Sequence, residues 1–306
     1  MPSIHRTVLL NETVESLVSG LKPPSHTIWY LDGTLGGAGH ALAIAEALKG
    51  KLAIIGLDRD SEAIERARGT LKGQSEKLVL ECQDFRRLDE VLSKNGVERV
   101  DLILLDLGIS SDELEDSGRG FSFMRDEPLL MTMGNPAAYP FTARDIVNDW
   151  KEDDIANVIF AYGEETYARR IARGIIGYRA KKRIDTTEEL KEIVRSSVPA
   201  AYRFRKTNPA TKTFQALRIA VNDELKALEE GLAKGYEALN EGGRMAVISF
   251  HSLEDRIAKN FMRGRESEGA KLISRRAVKP TDQEIAENPR SRSAKLRVVE
   301  KHFHKL

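Results

Sequence analysis

A chain of 306 residues and 34.2 kDa has room for two average domains, or for one large α/β domain with an insertion, because single cores seldom grow past about 250–300 residues. With 41% hydrophobic and 31% charged residues, the composition excludes a disordered, collagen-like or low-complexity chain. Net charge is only +1 but it is segregated: residues 101–165 carry 4 Lys/Arg against 15 Asp/Glu, residues 166–218 carry 14 against 4, and residues 256–306 carry 14 against 6, so two basic blocks suit a polyanion.

One cysteine, Cys82, excludes an internal disulfide and a multi-thiolate metal site, and the histidines lack metal-ligand spacing, so no metal is expected. No window approaches the roughly 18 apolar residues of a membrane span, and Met1-Pro2-Ser3-Ile4-His5-Arg6 lacks a secretory pattern. The expected compartment is the cytoplasm, with no membrane partner.

Short β-branched or apolar runs predict buried strands at 27–31, 52–57, 77–80 and 100–105. Segments of helical period lie between them at 40–49, 61–71 and 87–94, the second opened by Asp60-Ser61 as a cap. Such alternation means parallel strands joined by right-handed crossovers. It stops after Asp106 and resumes only at 244–250, beyond a helical stretch at 214–239 and the Gly242-Gly243 turn. Runs at 272–278 and 294–303 predict a closing antiparallel pair. The expected fold class is therefore α/β, an open sheet over residues 1–110 and 214–306 with a helical domain, 111–213, inserted between strands four and five. Within the insert, 146–162 and 166–178 read as amphipathic helices, and Thr186-Thr187-Glu188-Glu189 opens a third with a capping signature. A helical lobe beside an open sheet creates a cleft, where such folds place substrates.

The first strand runs through Asp32-Gly33-Thr34-Leu35-Gly36-Gly37-Ala38-Gly39-His40 straight into a helix. Glycines there let backbone approach a ligand in front of a helix N-terminus. A dinucleotide fingerprint fails, because counting from Gly37 and Gly39 its last glycine falls on Leu42. An acid at the strand end suits an uncharged or cationic ligand better than a pyrophosphate, and S-adenosylmethionine, with its ammonium and sulfonium, fits. Asp58 ends the second strand at the spacing where a carboxylate accepts both ribose hydroxyls. Asp84 and Phe85 follow the third, offering an adenine a hydrogen bond and a ring, and Asp106 ends the fourth beside Leu107-Gly108-Ile109-Ser110-Ser111. Any one acid reads equally as a helix cap; three strand-end carboxylates beside a glycine loop make a site.

These residues resemble the bacterial 16S ribosomal RNA cytosine-N4 methyltransferase family, also called MraW, over nearly the whole chain. The likeness is carried by His5-Arg6-Thr7-Val8-Leu9-Leu10, by Asp32 to His40, Asp106 to Ser111, Arg119-Gly120-Phe121-Ser122-Phe123 and Thr213-Phe214-Gln215-Ala216-Leu217-Arg218, and by Ser249-Phe250-His251-Ser252-Leu253-Glu254-Asp255-Arg256 and Asn288-Pro289-Arg290-Ser291-Arg292. The resemblance implies a Rossmann-like, class I S-adenosylmethionine-dependent methyltransferase sheet interrupted by a helical domain, acting on N4 of one cytidine in the decoding centre (P site) of 16S ribosomal RNA. It implies cofactor contacts at Ala38, Gly39, His40, Asp58, Phe85 and Asp106. The family's further glutamine contact matches Glu113, which still accepts a hydrogen bond. After Pro128 the family commonly reads Leu-Asp-Met-Arg-Met and this chain Leu129-Leu130-Met131-Thr132-Met133. The implied partner is 16S RNA within the small ribosomal subunit, and a homodimer is compatible with the reading.

Cytosine N4 is a poor nucleophile and the sulfonium a strong electrophile, so alignment and an acceptor for an N4 proton matter most. Asp106, with Ser110 or Ser111, is the candidate catalytic set. Methylation at C5 instead would call for a cysteine nucleophile, and Cys82 reads as a small buried hydrophobe of the third strand. His251 either faces the cleft or shapes a turn in which Ser252 and Asp255 form a capping box. Arg290 and Arg292 contact phosphates or pin the last hairpin. Arg179-Ala180-Lys181-Lys182-Arg183 and Tyr202-Arg203-Phe204-Arg205-Lys206 mix cations with rings, a combination that binds RNA backbone and stacks bases. Rival classes are a small-molecule methyltransferase, which leaves the basic blocks without a partner, and a noncatalytic RNA-binding factor, which leaves the strand-end acids without a task.

Overall fold

A computed structural model describes residues 7–21, 27–49, 51–109, 117–205 and 207–302. The chain forms two compact units, one of Met1–Gly108 with Leu225–Leu306 and one of Ile109–Glu224.

The first unit is built on seven strands: β1 Ile28–Asp32, β2 Leu52–Asp58, β3 Lys77–Cys82, β4 Val100–Asp106, β5 Leu239–Ser249, β6 Lys271–Leu272 and β7 Lys295–Glu300, in the order β3-β2-β1-β4-β5-β7-β6. The first five pair in parallel; β7 runs antiparallel to both β5 and β6. Parallel strands covered on both faces read as unbroken apolar runs, and β2 is buried from Leu52 to Leu57. Alternate residues part to the two faces. Tyr30, Ile54, Leu102, Leu104, Ala246 and Ile248 join one core with helices α1 (Leu10–Val18), α2 (Gly39–Leu48) and α3 (Ser61–Thr70). Leu31, Ile55, Ile103, Leu105, Met245 and Val247 join the other with α4 (Leu88–Lys94). The strand order places the ends of β1, β2 and β4 side by side, with Asp32 in register with Gly56 and Leu104.

Two features depart from the sequence expectation here. The last hairpin is short: β6 holds two residues, and Val278 meets Leu296 only as an isolated bridge. The fifth strand starts early, at Leu239, with a register shift opposite β4 between Val100 and Leu102 that absorbs the glycine turn. A buried ion pair fastens β5 to β7: Arg244 Nε meets Glu300 Oε2 at 2.7 Å while Nη1 donates to the carbonyls of Ser16 (2.9 Å) and Ser19 (2.5 Å) at the end of α1.

The second unit is helical: α5 Ala143–Asp149, α6 Glu152–Gly163, α7 Ala168–Arg179, α8 Thr187–Ser197, the single turn α9 Ala200–Arg203 and α10 Ala210–Asn222 around one apolar core. Capping boxes start α5, from Thr142 with Asp145, and α8, from Thr186 with Glu189. The expected helix at 146–162 is two helices, because Trp150 and Lys151 adopt extended backbone between them. The expected stretch at 214–239 also breaks, where Asp223 takes a left-handed conformation (φ 51°) that Asp tolerates better than most residues; beyond it α11 spans Glu224–Ala238. Since α10 buries Phe214, Leu217 and Val221 in this core, the unit runs on to Glu224, past Thr213.

Candidate active site at the strand ends

Asp32 ends β1 and is 1% exposed. Its Oδ2 accepts from the Tyr30 hydroxyl at 2.8 Å and its Oδ1 from the Thr34 backbone N–H at 3.1 Å. Burial pushes its carboxyl up to about 6, opposed by the Tyr30 hydroxyl and by His40, and burial beside Asp32 holds the Tyr30 hydroxyl well above its usual range.

The glycine turn is pinned to the neighbouring strands: Gly33 N–H donates to Leu104 O and Leu35 N–H to Leu57 O, both at 2.9 Å. Gly36 (φ 50°) and Ala38 (φ 63°) are left-handed, and a non-glycine residue held there marks a conformation imposed by its surroundings. Two glycines answer to packing, since a Cβ at Gly33 would strike Leu105 and one at Gly39 would strike Thr7. Gly37 has no such reason; a Cβ there meets nothing within 4 Å. That open backbone in front of α2 leaves room for a ligand to approach.

Asp58 ends β2 with both oxygens oriented, Oδ2 accepting from Gly36 N–H at 2.8 Å and Oδ1 from Asp60 N–H at 2.9 Å. A carboxylate has about four lone-pair directions, so each oxygen keeps one free for a second donor. Burial raises its pKa against those two N–H groups. Asp84 is committed elsewhere: it pairs with Arg59 and with Arg86 Nε (2.9 Å) and caps the 3₁₀ turn that begins with Phe85. The Phe85 ring, half-buried, occupies the space that a Cβ on Gly231 of α11 would fill.

Asp106 ends β4. Its backbone N–H donates to Thr34 Oγ1 at 2.6 Å, Gly108 N–H reaches its Oδ1 at 3.4 Å, and its Oδ2 lies 3.5 Å from His40 Nε2. His40 is 5% exposed and neither ring nitrogen has a hydrogen-bond partner. A buried, unpartnered imidazole beside a strand-end carboxylate is what a polar ligand group would satisfy. Ala38, Gly39, His40, Asp58 and Asp106 thus gather around one turn, while Ser110, Ser111 and Glu113 lie outside the described residues. Thr34 and Tyr30, which hold Asp106 and Asp32, went unremarked in the sequence; their signal was only their place beside strand-end acids.

The remaining candidates divide. His251 is itself the cap of α12 (Ser252–Glu266): its Nδ1 accepts from Glu254 N–H at 3.4 Å, and Glu254 Oε2 accepts from Phe250 N–H at 2.8 Å. The capping partner is therefore Glu254, one residue from the expected Asp255, because Asp255 binds Lys295 (2.9 Å) and Arg297 (2.7 Å) of β7. Those two cations, rather than Arg290 and Arg292, make the hairpin ion pairs to Asp255, and Arg292 is exposed without a partner among the described residues. Cys82 is exposed, not buried, since β3 is an edge strand and Cys82 its last residue.

In the helical unit, Arg179 Nη1 donates to Val147 O at 3.0 Å, Lys182 pairs with Glu189 and Arg183 with Asp149 at 3.4 Å, which leaves Lys181 exposed as the unpaired cation of that run. Tyr202 donates to Glu165, and burial beside that carboxylate pushes its hydroxyl up to about 12. At the departures after Pro128, Leu130 is half-buried and Thr132 is fully buried, donating to Gly134 O at 3.2 Å.

The profile of the MraW methylase family matches residues 2–302. A ribosomal RNA small subunit methyltransferase H from Brevibacillus brevis is 42% identical over 97% of this chain and 98% of that protein. Proteins of the same name from Paenibacillus sp. and Kosmotoga olearia are 43% and 45% identical, each over 97% of this chain and over 99% and 97% of their own lengths.

Proposed function

Because the chain belongs to the MraW methylase family, we propose that it is an S-adenosylmethionine-dependent methyltransferase acting on the exocyclic N4 of one cytidine in the decoding centre of 16S ribosomal RNA, within the small subunit and in the cytoplasm. The observation that carries this reading is the pair of strand-end carboxylates beside the open glycine turn: Asp58, held by two backbone N–H groups, and Asp106, next to the buried His40.

Bound S-adenosylmethionine supplies an electrophilic methyl group, whose bond pair returns to sulfur on transfer. Asp58, held by two backbone N–H groups, turns its free lone pairs to the ribose hydroxyls. The bare backbone of Gly37, the left-handed Ala38 and the buried His40 would hold the methionine portion. Phe85 offers an apolar edge to the adenine. Asp106 accepts a hydrogen bond from the N4 amino group, which favours the pyramidal nitrogen needed for attack, and takes the proton that N4 sheds once its lone pair has bonded to carbon. Thr34 fixes the backbone of that acceptor, and Ser110 or Ser111 completes the set. Glu113, at the position of the family's glutamine contact, would accept a hydrogen bond from the cofactor. A base stacked in RNA has to be splayed out to reach this point, at a cost of a few kcal/mol recovered from backbone contacts by the basic runs.

Incubation with methyl-labelled S-adenosylmethionine and small ribosomal subunits from cells lacking the enzyme tests the reading. Label in 16S RNA is expected; label nowhere, despite measured cofactor binding, would overturn it.

A further inference from the structure

We propose that Phe204 and Arg205 form a stacking platform for an unpaired stretch of the RNA substrate, an inference that rests on the RNA methyltransferase reading. Phe204 is 86% exposed, and an isolated exposed ring needs no explanation on its own. Its mounting is what calls for one. The one-turn helix α9 that presents it is fastened by three hydrogen bonds: Arg203 donates from Nε to Val198 O (3.1 Å) and from Nη2 to Ser196 O (3.2 Å), and the Tyr202 hydroxyl donates to Oε2 of Glu165 at 2.6 Å. Glu165 is fully buried and its Oε1 also accepts from Tyr167 N–H at 2.8 Å.

A ladder of rings and guanidinium groups stands on that buried carboxylate. Tyr167 and Tyr202 meet edge to face at 4.9 Å, Arg170 lies over Tyr167 at 5.9 Å and Arg205 over Tyr202 at 4.6 Å. No carboxylate among the described residues pairs with Arg170 or Arg205, so both charges stay available to a polyanion. Of the large hydrophobic side chains exposed among the described residues, Met124, Phe160 and Phe204, only Phe204 is flanked by cations on both sides in sequence. A bare aromatic ring on a fastened turn, next in sequence to a cation without a carboxylate partner among the described residues, is an arrangement on which single-stranded bases stack while the backbone is neutralised.

Phe204 is a surface side chain, so replacing it leaves the fold intact and each outcome is readable. In Phe204→Trp, titration with a short single-stranded oligocytidylate should give saturable quenching beyond that of the parent, whose emission comes from Trp29 and Trp150, and no quenching beyond the parent's would overturn the platform whether or not the protein methylates anything. In Phe204→Ala, KM for small subunits should rise about tenfold with kcat and S-adenosylmethionine affinity unchanged, and Phe204→Tyr should keep the parent KM. Arg205→Ala should lower the salt slope of RNA binding by about 0.7. Parent methylation with an unchanged KM in Phe204→Ala refutes the platform alone; absent methylation by the parent with saturable quenching in Phe204→Trp refutes the methyltransferase reading and leaves the platform standing.

Discussion

Replacement of Asp58 by Asn separates the two tasks of that carboxylate. At present Oδ2 holds Gly36 N–H and Oδ1 holds Asp60 N–H, at 2.8 and 2.9 Å. An amide keeps one oxygen and turns an NH2 group toward the other N–H, so one backbone donor of the turn is left facing a donor, at a cost of about 1–3 kcal/mol. One charge-assisted ribose contact is lost as well, worth about 1.5–3 kcal/mol. The turn cost falls on the free and the bound protein alike, so only the ribose contact enters the affinity: with about 1.4 kcal/mol per decade, the Kd for S-adenosylmethionine should weaken at least about tenfold. The control is Asp60→Ala: it removes the side-chain cap that accepts from Glu62 N–H and costs about 1 kcal/mol of stability, yet Asp60 N–H still reaches Asp58, so affinity should stay within about twofold. Titration calorimetry on parent and both variants decides. Asp58→Asn binding as tightly as the parent, or Asp60→Ala weakening equally, would refute the reasoning.

Asp106→Asn should lower kcat about a hundredfold or more with subunit binding little changed, and single-turnover methylation at the parent rate would contradict the acceptor role. For Asp32, whose folded pKa of about 6 exceeds the ordinary 3.8, the native state holds a proton that the unfolded chain has lost between roughly pH 4 and 6; its contribution is present at low pH and fades as pH rises through that window. Asp32→Asn does not titrate, so urea unfolding at both ends of the window should show the variant gaining roughly 2–3 kcal/mol relative to the parent as pH rises; a constant gap would count against the buried, proton-holding carboxyl. Arg244→Ala leaves the buried Glu300 carboxylate with His302 alone among the described residues and removes the donor to the carbonyls of Ser16 and Ser19, and thermal melts should register a loss of about 3–5 kcal/mol, whereas a loss under about 1 kcal/mol would show that the pair is dispensable.

What could be read in the sequence was local in origin. Each strand-end acid adjoins its own strand and the glycine turn adjoins the first, so apolar runs and helical period showed the order of strands and helices, and Asp32, Asp58 and Asp106 stood out as the ends of strands. Contacts between distant residues were not. The bond from Asp106 N–H to Thr34 Oγ1 joins two strands, and nothing in a helical period shows that Asp223 will turn left-handed and split a long helix. Cys82 reads as buried because it follows the apolar run of the third strand, while the topology puts β3 at the edge of the sheet. At His251 the motif supplied two acids within reach, and the cross-strand cations Lys295 and Arg297 decided which one caps.

The most direct test of the central claim is the identity of the methylated nucleoside. Small subunits from cells lacking the enzyme, treated with the protein and methyl-labelled S-adenosylmethionine, are digested and their nucleosides resolved by mass spectrometry. Labelled N4-methylcytidine from a single position is the predicted result. Label appearing as 5-methylcytidine, as a ribose methyl group or at many positions would contradict an exocyclic amine held against Asp106.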